Sequence, residues 1–465
     1  VETAPSNDAG RSVRKPLSGT FFMQRVCKRL LSATTLCLLL FSASLSAGSD
    51  YTFIDISNPF LRKVPLAVPL FKNTTGTAAA EELAASSADM MAEALTFTGL
   101  FKLIDRGAYL EDVRATGLVG PQIGFRNWTA VGAELLITGG LSLNGDLMEM
   151  ELRLFDTFKE KLLVGKKYKG FERDQRRMVL RFCSEVIFQL TGNRGVFDSR
   201  VAFVSNGSGH KEIYTCDFDG RDVKRFTNHK SITLFPAWSS DGRWMAYTSY
   251  AKGKPDLYLR HLGNQKVRVV AKDGIQITPD WVPGRFELAA TMSFGGDQEI
   301  YLLTGTGKII KRLTKSRGID VAPSWAPDGK RFAFVSRRSG TPQIYVQDAS
   351  SGRVRRLTYE GRYNTQPSWS PKGDKLAYSA LIEGRINIYV TDPEGNTPMQ
   401  LTDGTGDNEA PCWSPDGSLI AFSSTREGPS RIFVMTAYGT DQRRLLRLPG
   451  EQTNPRWSPG GLNYQ

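Results

Sequence analysis

The chain has 465 residues, 40% of them apolar, and a formal net charge of +13. That length suits two or three ordinary globular domains. The charge is dispersed: Lys/Arg and Asp/Glu interleave from Asp50 onward with no polybasic run laced with aromatics, which argues against a specific nucleic-acid surface.

Residues 1–47 read as an address. Arg25, Lys28 and Arg29 precede the apolar run 30–45, and the small residues Ser44, Ser46, Ala47 and Gly48 follow. Basic, apolar and cleavage regions in that order predict a secretory signal peptide cut between Ser46 and Gly48. Sixteen mildly apolar residues are short for a spanning helix. Leu36 before Cys37 lacks the small residue of a lipoprotein signal, and the polar stretch ahead of Met23 fits a true start at Met23. No later apolar run is long enough to span a bilayer, so the mature protein is expected to be exported, soluble and monomeric.

Residues 48–190 predict an α/β domain. Val64–Phe71 is a buried strand candidate, Ala78–Phe97 an amphipathic helix stopping near Gly99, and Leu100–Asp105 a second strand. A short helix is expected over Asn127–Ala133, followed by a strand through ELLITGGLSL. Asn144-Gly145 signals a hairpin, and LMEMELRLFD then alternates as a half-buried strand. Tyr168–Phe171 extends the sheet, Asp174–Gln189 closes the domain as a helix, and 191–199 is a linker.

From residue 200 to 465 the chain repeats itself. Pro-x-Trp recurs at Pro236/Trp238, Pro279/Trp281, Pro323/Trp325, Pro367/Trp369, Pro411/Trp413 and Pro455/Trp457, with successive tryptophans 43, 44, 44, 44 and 44 residues apart. Ile213-Tyr214, Leu257-Tyr258, Ile300-Tyr301, Ile344-Tyr345, Ile388-Tyr389 and Ile432-Phe433 keep the same step. A fixed period of this length means a repeat architecture. In one copy, PSW is a short strand opened by a proline at its first residue. Ala326–Gly329 is a turn, KRFAFVS and QIYVQD are strands, and RVRRLT is a polar outer strand. Four short antiparallel strands cannot bury both faces alone, but six such sheets stacked in a ring can, which predicts a six-bladed β-propeller. The first copy, RVAFVS at 200–205, lacks its PxW strand, and the last, Pro455–Gln465, lacks its successor. Pairing Pro455–Ser458 with Val201–Ser205 is therefore expected to close the ring and remove both open edges.

Chemistry is sparse. Cys183, Cys216 and Cys412 form no disulfide framework; His210, His229 and His261 are isolated, and His229 and His261 are expected at the surface. No metal ligand set and no cofactor is predicted. Asp217–Gly220 resembles a calcium loop but lacks the downstream acidic ligand, and reads as a hairpin turn. A peptidase would need a G-x-S-x-G elbow, which is absent, so no catalytic residue is assigned. A propeller enzyme of lyase or peptidase type is the alternative reading, separable from a binding module by activity screening.

The signal peptide, the domain opening on VPLAVPLFKN, the LTG-x-x-G-x-F linker at Leu190–Phe197 and six PxWSPDG-type repeats together resemble the TolB family, from about Asp50 to Gln465. The resemblance implies a non-enzymatic periplasmic protein of the Tol–Pal system. Such a protein links inner-membrane Tol proteins to the Pal lipoprotein for outer-membrane integrity and constriction at cell division. Its partners would be a Pal-type peptidoglycan-associated lipoprotein on one propeller face and a TolA-type inner-membrane protein at the mature N-terminus.

The repeat phase says where a partner would sit. The segments entering each PxW strand are expected as loops around the mouth of a central channel: Ile232, Thr233 and Leu234; Gln276, Ile277 and Thr278; Asp320, Val321 and Ala322; Asn364, Thr365 and Gln366; Asn408 and Glu409; Thr453 and Asn454. Apolar residues there suggest an interface. The resemblance points to Ile275–Thr278 and Val321 as Pal contacts. It points to the alternating segment Tyr51, Thr52, Phe53, Ile54 and Asp55 for TolA, a segment able to add to a partner's sheet edge.

Overall fold

A computed structural model describes residues 62–112 and 117–461. The predicted signal peptide and the TolA-type segment Tyr51–Asp55 lie outside the described residues. In the first domain β1 (Val64–Ala67) and β2 (Lys72–Asn73) lead to α1 (Ala78–Phe97), β3 (Phe101–Leu103) and α2 (Phe125–Ala130). A meander follows, β4 (Leu135–Asn144), β5 (Leu147–Asp156) and β6 (Lys161–Phe171), and α3 (Gln175–Thr191) ends the domain. The sheet order is β3-β1-β4-β5-β6, with β1 parallel to both neighbours and the meander antiparallel.

Local sequence explains these elements. Ala80, Ala84, Ser87, Ala88, Met91 and Leu95 recur at helical spacing and form the buried stripe of α1, whose first turn is capped by the Thr77 hydroxyl. Met148, Met150, Leu152 and Leu154 alternate on β5 and share a core with α1 and α3. Two expectations shift. Asn144 pairs with Leu147, so the hairpin turns on Gly145 and Asp146, with Gly145 at φ +61°. The short helix starts two residues before Asn127 and ends at Ala130, because Gly132 at φ +79° leaves the helical region.

The rest of the chain is six four-stranded sheets. Five are built from consecutive strands. The sixth pairs the final strand, Gln452–Trp457, with β7 (Arg200–Ser205), which continues to β8 (Glu212–Asp217) and β9 (Lys224–Arg225). Trp457 lies opposite Val201 and Arg456 opposite Ala202, the closure the repeat phase predicts.

One local expectation is overturned in every copy. Each innermost strand begins three or four residues before its proline, so the proline sits inside the strand rather than at its first residue. Proline has no N–H for the ladder, and the strand accommodates it with a β-bulge, at Leu234/Ala237, Ile277/Asp280, Val321/Ser324, Thr365/Ser368, Glu409/Cys412 and Thr453/Arg456.

The blade turns define two faces. The PxWSPDG turns and the turns from third to fourth strand lie on the lower face; the innermost strands begin at the upper face. The first domain docks on the lower face. Arg176 of α3 reaches Asp217 (3.5 Å) and Asp219 (2.9 Å), Glu93 of α1 pairs with Arg221 (2.6 Å), and Lys63 pairs with Asp441 (2.7 Å). Phe218 lies at the tip of the Asp217–Gly220 turn, fully buried, with its ring 5.2 Å from Phe97 and 5.3 Å from Phe197.

Candidate partner-binding rim

Apart from Ile232, which immediately precedes its strand, the residues expected as rim loops are the first residues of the innermost strands, and the fold gives them three different surroundings. Three positions before each proline stand Thr233, Gln276, Asp320, Asn364, Asn408 and Gln452, all buried. Asp320 accepts from the Ser336 hydroxyl (2.5 Å) and pairs with Arg338 (2.8 Å). Burial pushes its carboxyl up, and these two partners pull it back. Asn364 donates to Gln343 (2.9 Å) and Asn408 to Asn387 (3.0 Å). Thr233, Gln276, Asp320 and Asn408 are thus interior hydrogen-bonding groups, not the exposed loop residues the sequence suggested; buried polar atoms must find partners inside.

One position before each proline stand Phe235, Thr278, Ala322, Gln366, Ala410 and Asn454. All six hold φ between 48° and 54°, in the left-handed region. With their prolines they wall a narrow axial cavity of about 50 Å³. Neighbouring blades are laced together here: the N–H groups of Ala322, Ala410 and Asn454 donate to Thr291 (3.2 Å), Ser379 (3.1 Å) and Ser423 (3.1 Å) of the preceding blade. Thr278 shares a hydrogen bond with Thr291 (2.7 Å), and Gln366 accepts from Ser379 (2.8 Å) and the Ala410 N–H (2.9 Å).

Between these two sets lie Leu234, Ile277, Val321, Thr365, Glu409 and Thr453, all partly exposed. Leu234 leans on the cluster of Tyr247 and Tyr258, and Val321 with Ala322 on the cluster of Val335 and Trp369. Ile275 and Ile277 are only half-buried, and Ile232 is 45% exposed. Glu409 is half-buried, and burial together with Asp407 raises its carboxyl. The upper face also carries residues the sequence reading missed, Phe294 (45% exposed) and Tyr363 (45% exposed). Phe235 was missed on the cavity wall, although its place before a repeat proline was the available signal.

Just past the prolines, the middle residues of three PxW phrases, Asp280, Ser324 and Cys412, each accept from the next blade. The N–H groups of Trp325, Trp369 and Trp457 donate to Asp280 (2.8 Å), Ser324 (3.1 Å) and Cys412 Sγ (3.1 Å). Burial pushes the Asp280 carboxyl up to about 6, while Arg456 and the Trp325 N–H act against that. His229, expected at the surface, is half-buried, with Nδ1 2.8 Å from the Ser249 hydroxyl; burial lowers its pKa. Among the described residues no group of three His, Cys, Asp or Glu side chains is gathered as a metal site. No helix among them is long and apolar enough to cross a membrane.

Comparison with known proteins agrees with this architecture. Residues 188–462 match the TolB beta propeller domain and residues 52–163 the TolB amino-terminal domain. The chain is 58% identical over 287 residues to the Tol-Pal system protein TolB of Desulfosudis oleivorans, covering 62% of this chain and 64% of that one. It is 44% identical over 297 residues to a protein TolB homolog of Chlorobium chlorochromatii, covering 64% and 66%. The matched stretch thus spans just under two thirds of these relatives' length. The crystal structure of TolB from Acinetobacter baumannii superposes with a TM-score of 0.74 at 25% identity, covering 86% of this chain and 97% of that one. With one family model spanning the whole propeller and a second spanning most of the preceding domain, the chain belongs to the TolB family.

Proposed function

We propose that this protein is a non-enzymatic periplasmic component of a Tol–Pal system. Residues 1–47 act as a cleaved signal peptide, 48–190 form the α/β domain, 191–199 the linker and 200–465 the propeller. The upper rim binds a Pal-type lipoprotein, and Tyr51–Asp55 contact a TolA-type inner-membrane protein, so the molecule links the two membranes during constriction. The observation that carries this reading is the rim itself: Ile232, Ile275 and Ile277 stay partly exposed on a face opposite the docked first domain. Exposed apolar clusters on soluble proteins mark interfaces. The axial cavity, at about 50 Å³, is far below the several hundred Å³ typical of a small-molecule site.

The test is a pull-down with the soluble domain of a Pal-type lipoprotein. Ile232→Asp combined with Ile277→Asp is expected to abolish capture with the melting temperature within a few degrees of wild type. Val321→Asp is expected to weaken capture but also to cost stability, because Val321 leans on the core. Full capture by the double variant would remove this face from the reading, and turnover of oligosaccharides or peptides would replace it with the enzyme alternative.

A further inference from the structure

The upper face is electrically lopsided, and the lopsidedness coincides with its apolar residues. Six loops, 226–232, 250–255, 271–274, 294–298, 313–319 and 337–342, crown blades 1 to 3, counting from the blade that begins at Thr233. They carry the exposed cations Lys230, Lys252, Lys272, Lys315, Arg317 and Arg337 against two exposed carboxylates, Asp273 and Asp297. None of the six cations has a carboxylate of the described residues at ion-pair distance. The other cations of this sector are spent internally, Lys254 on buried Asp256 (3.0 Å) and Arg338 on buried Asp320 (2.8 Å). The remaining six loops, 206–211, 357–362, 383–385, 401–407, 425–430 and 445–451, carry six exposed carboxylates against four exposed cations.

The basic loops form one continuous arc, its two halves joined where Ile275 pairs with Ser293 and sets loop 271–274 beside loop 294–298. Tyr250 N–H donates to Ile232 O (2.9 Å), Lys254 Nζ donates to Lys272 O, Gly318 N–H donates to Asp297 (3.2 Å), and Arg337 N–H donates to Ile319 O (3.0 Å). Ile232, Ile275, Ile277 and Phe294 lie within the same arc. An occupant that satisfies both features is a protein segment whose carboxylates meet the lysines and whose apolar side chains meet the isoleucines. Like-charge juxtaposition on the opposite sector sets its orientation.

We propose that the upper face of blades 1 to 3 is a docking arc for an acidic protein segment bearing apolar side chains. This rests on the rim reading and narrows it to one sector and one partner chemistry. The probe is a labelled synthetic peptide of alternating Glu and Leu residues, with a Gln-for-Glu counterpart, followed by fluorescence anisotropy from low to high salt. The expected result is binding of the Glu peptide at least tenfold tighter than the Gln peptide, weakening with salt. That advantage should vanish in Lys252→Gln/Lys272→Gln/Lys315→Gln/Arg317→Gln and persist in Glu360→Gln/Glu383→Gln. These positions are all exposed, so both variants are expected to fold.

With the Pal-type domain, the quadruple variant is expected to lose about tenfold in association rate at low salt. Equal binding of both peptides, or binding unchanged in the quadruple variant, overturns the arc whatever the lipoprotein does. An unchanged association rate in the quadruple variant, with capture still lost in the Ile232→Asp/Ile277→Asp protein, overturns the arc and leaves the rim reading standing. Co-sedimentation with phosphatidylglycerol vesicles that needs the same four cations, without peptide binding, overturns the protein partner in favour of lipid. A Pal-type domain that fails to bind wild type sinks the rim reading alone, and the peptide still decides the arc.

Discussion

At the residue scale, strain and burial are concentrated where the blades meet. Ala410 holds φ +54° directly before Pro411, a conformation costing a residue with a Cβ about 1–2 kcal/mol. Glycine carries no such penalty, so Ala410→Gly is expected to leave the melting temperature unchanged or raise it; a loss of several degrees would show that the position is unstrained. Asp280 gives a pH signature. Its folded-state pKa is raised by burial, so the folded state favours the protonated form. Its contribution is therefore most favourable below the unfolded carboxylate value and is lost as pH rises through about 6. Asp280→Asn keeps an acceptor for the Trp325 N–H and removes the titration. The stability of the variant relative to wild type is expected to rise between pH 4 and pH 7, read from melting curves; a pH-independent difference would contradict it. Gly220 is a case where space decides: a Cβ there would sit 2.2 Å from Leu445 O, and its φ of +83° suits only glycine, so Gly220→Ala is expected to be strongly destabilising.

At the element scale, the final strand closes the ring. Gln452–Trp457 supplies the innermost strand of the sixth blade, and the Trp457 indole N–H donates to the Ser199 hydroxyl (2.6 Å) in the segment that enters the propeller. Removing residues 455–465 would reopen two sheet edges and empty one seam. A large drop in melting temperature is expected, and Trp457→Ala alone should cost about 3–5 kcal/mol, as large-to-small core changes do. An unchanged melting curve for the truncated chain would argue against closure. Phases of four strands per 44 residues are legible in sequence because turn chemistry and alternation are local. The bulge at each proline is not legible, because only the partner strand reveals that the ladder slips there.

For the whole molecule, the decisive contact is between the domains. Phe97 of α1, Phe197 of the linker and Phe218 of the propeller meet edge to face, ringed by the ion pairs of Arg176, Arg221 and Lys63, and the apolar core runs on from one domain into the other. A shared core predicts one cooperative calorimetric transition. Phe218→Ala is expected to split it into two, and a single sharp peak in that variant would show that the ion pairs suffice. This docking also leaves the upper rim accessible, since the first domain occupies the turns of the opposite face.

The repeat period, the six blades, the ring closure and the helix α1 were all set by the order of residues along the chain, since each rests on local periodicity or on a phase that can be counted. Which of the pre-proline residues are exposed was decided only in three dimensions. Thr233, Gln276, Asp320 and Asn408 look like surface polar residues in a string of letters, but they are buried: side chains of other strands bond Thr233, Asp320 and Asn408, and the backbone of Lys272 and Asp273 folds over the Gln276 amide. The basic arc is likewise invisible along the chain, where its six cations are scattered over more than a hundred residues, and it exists because the blades bring their upper loops side by side.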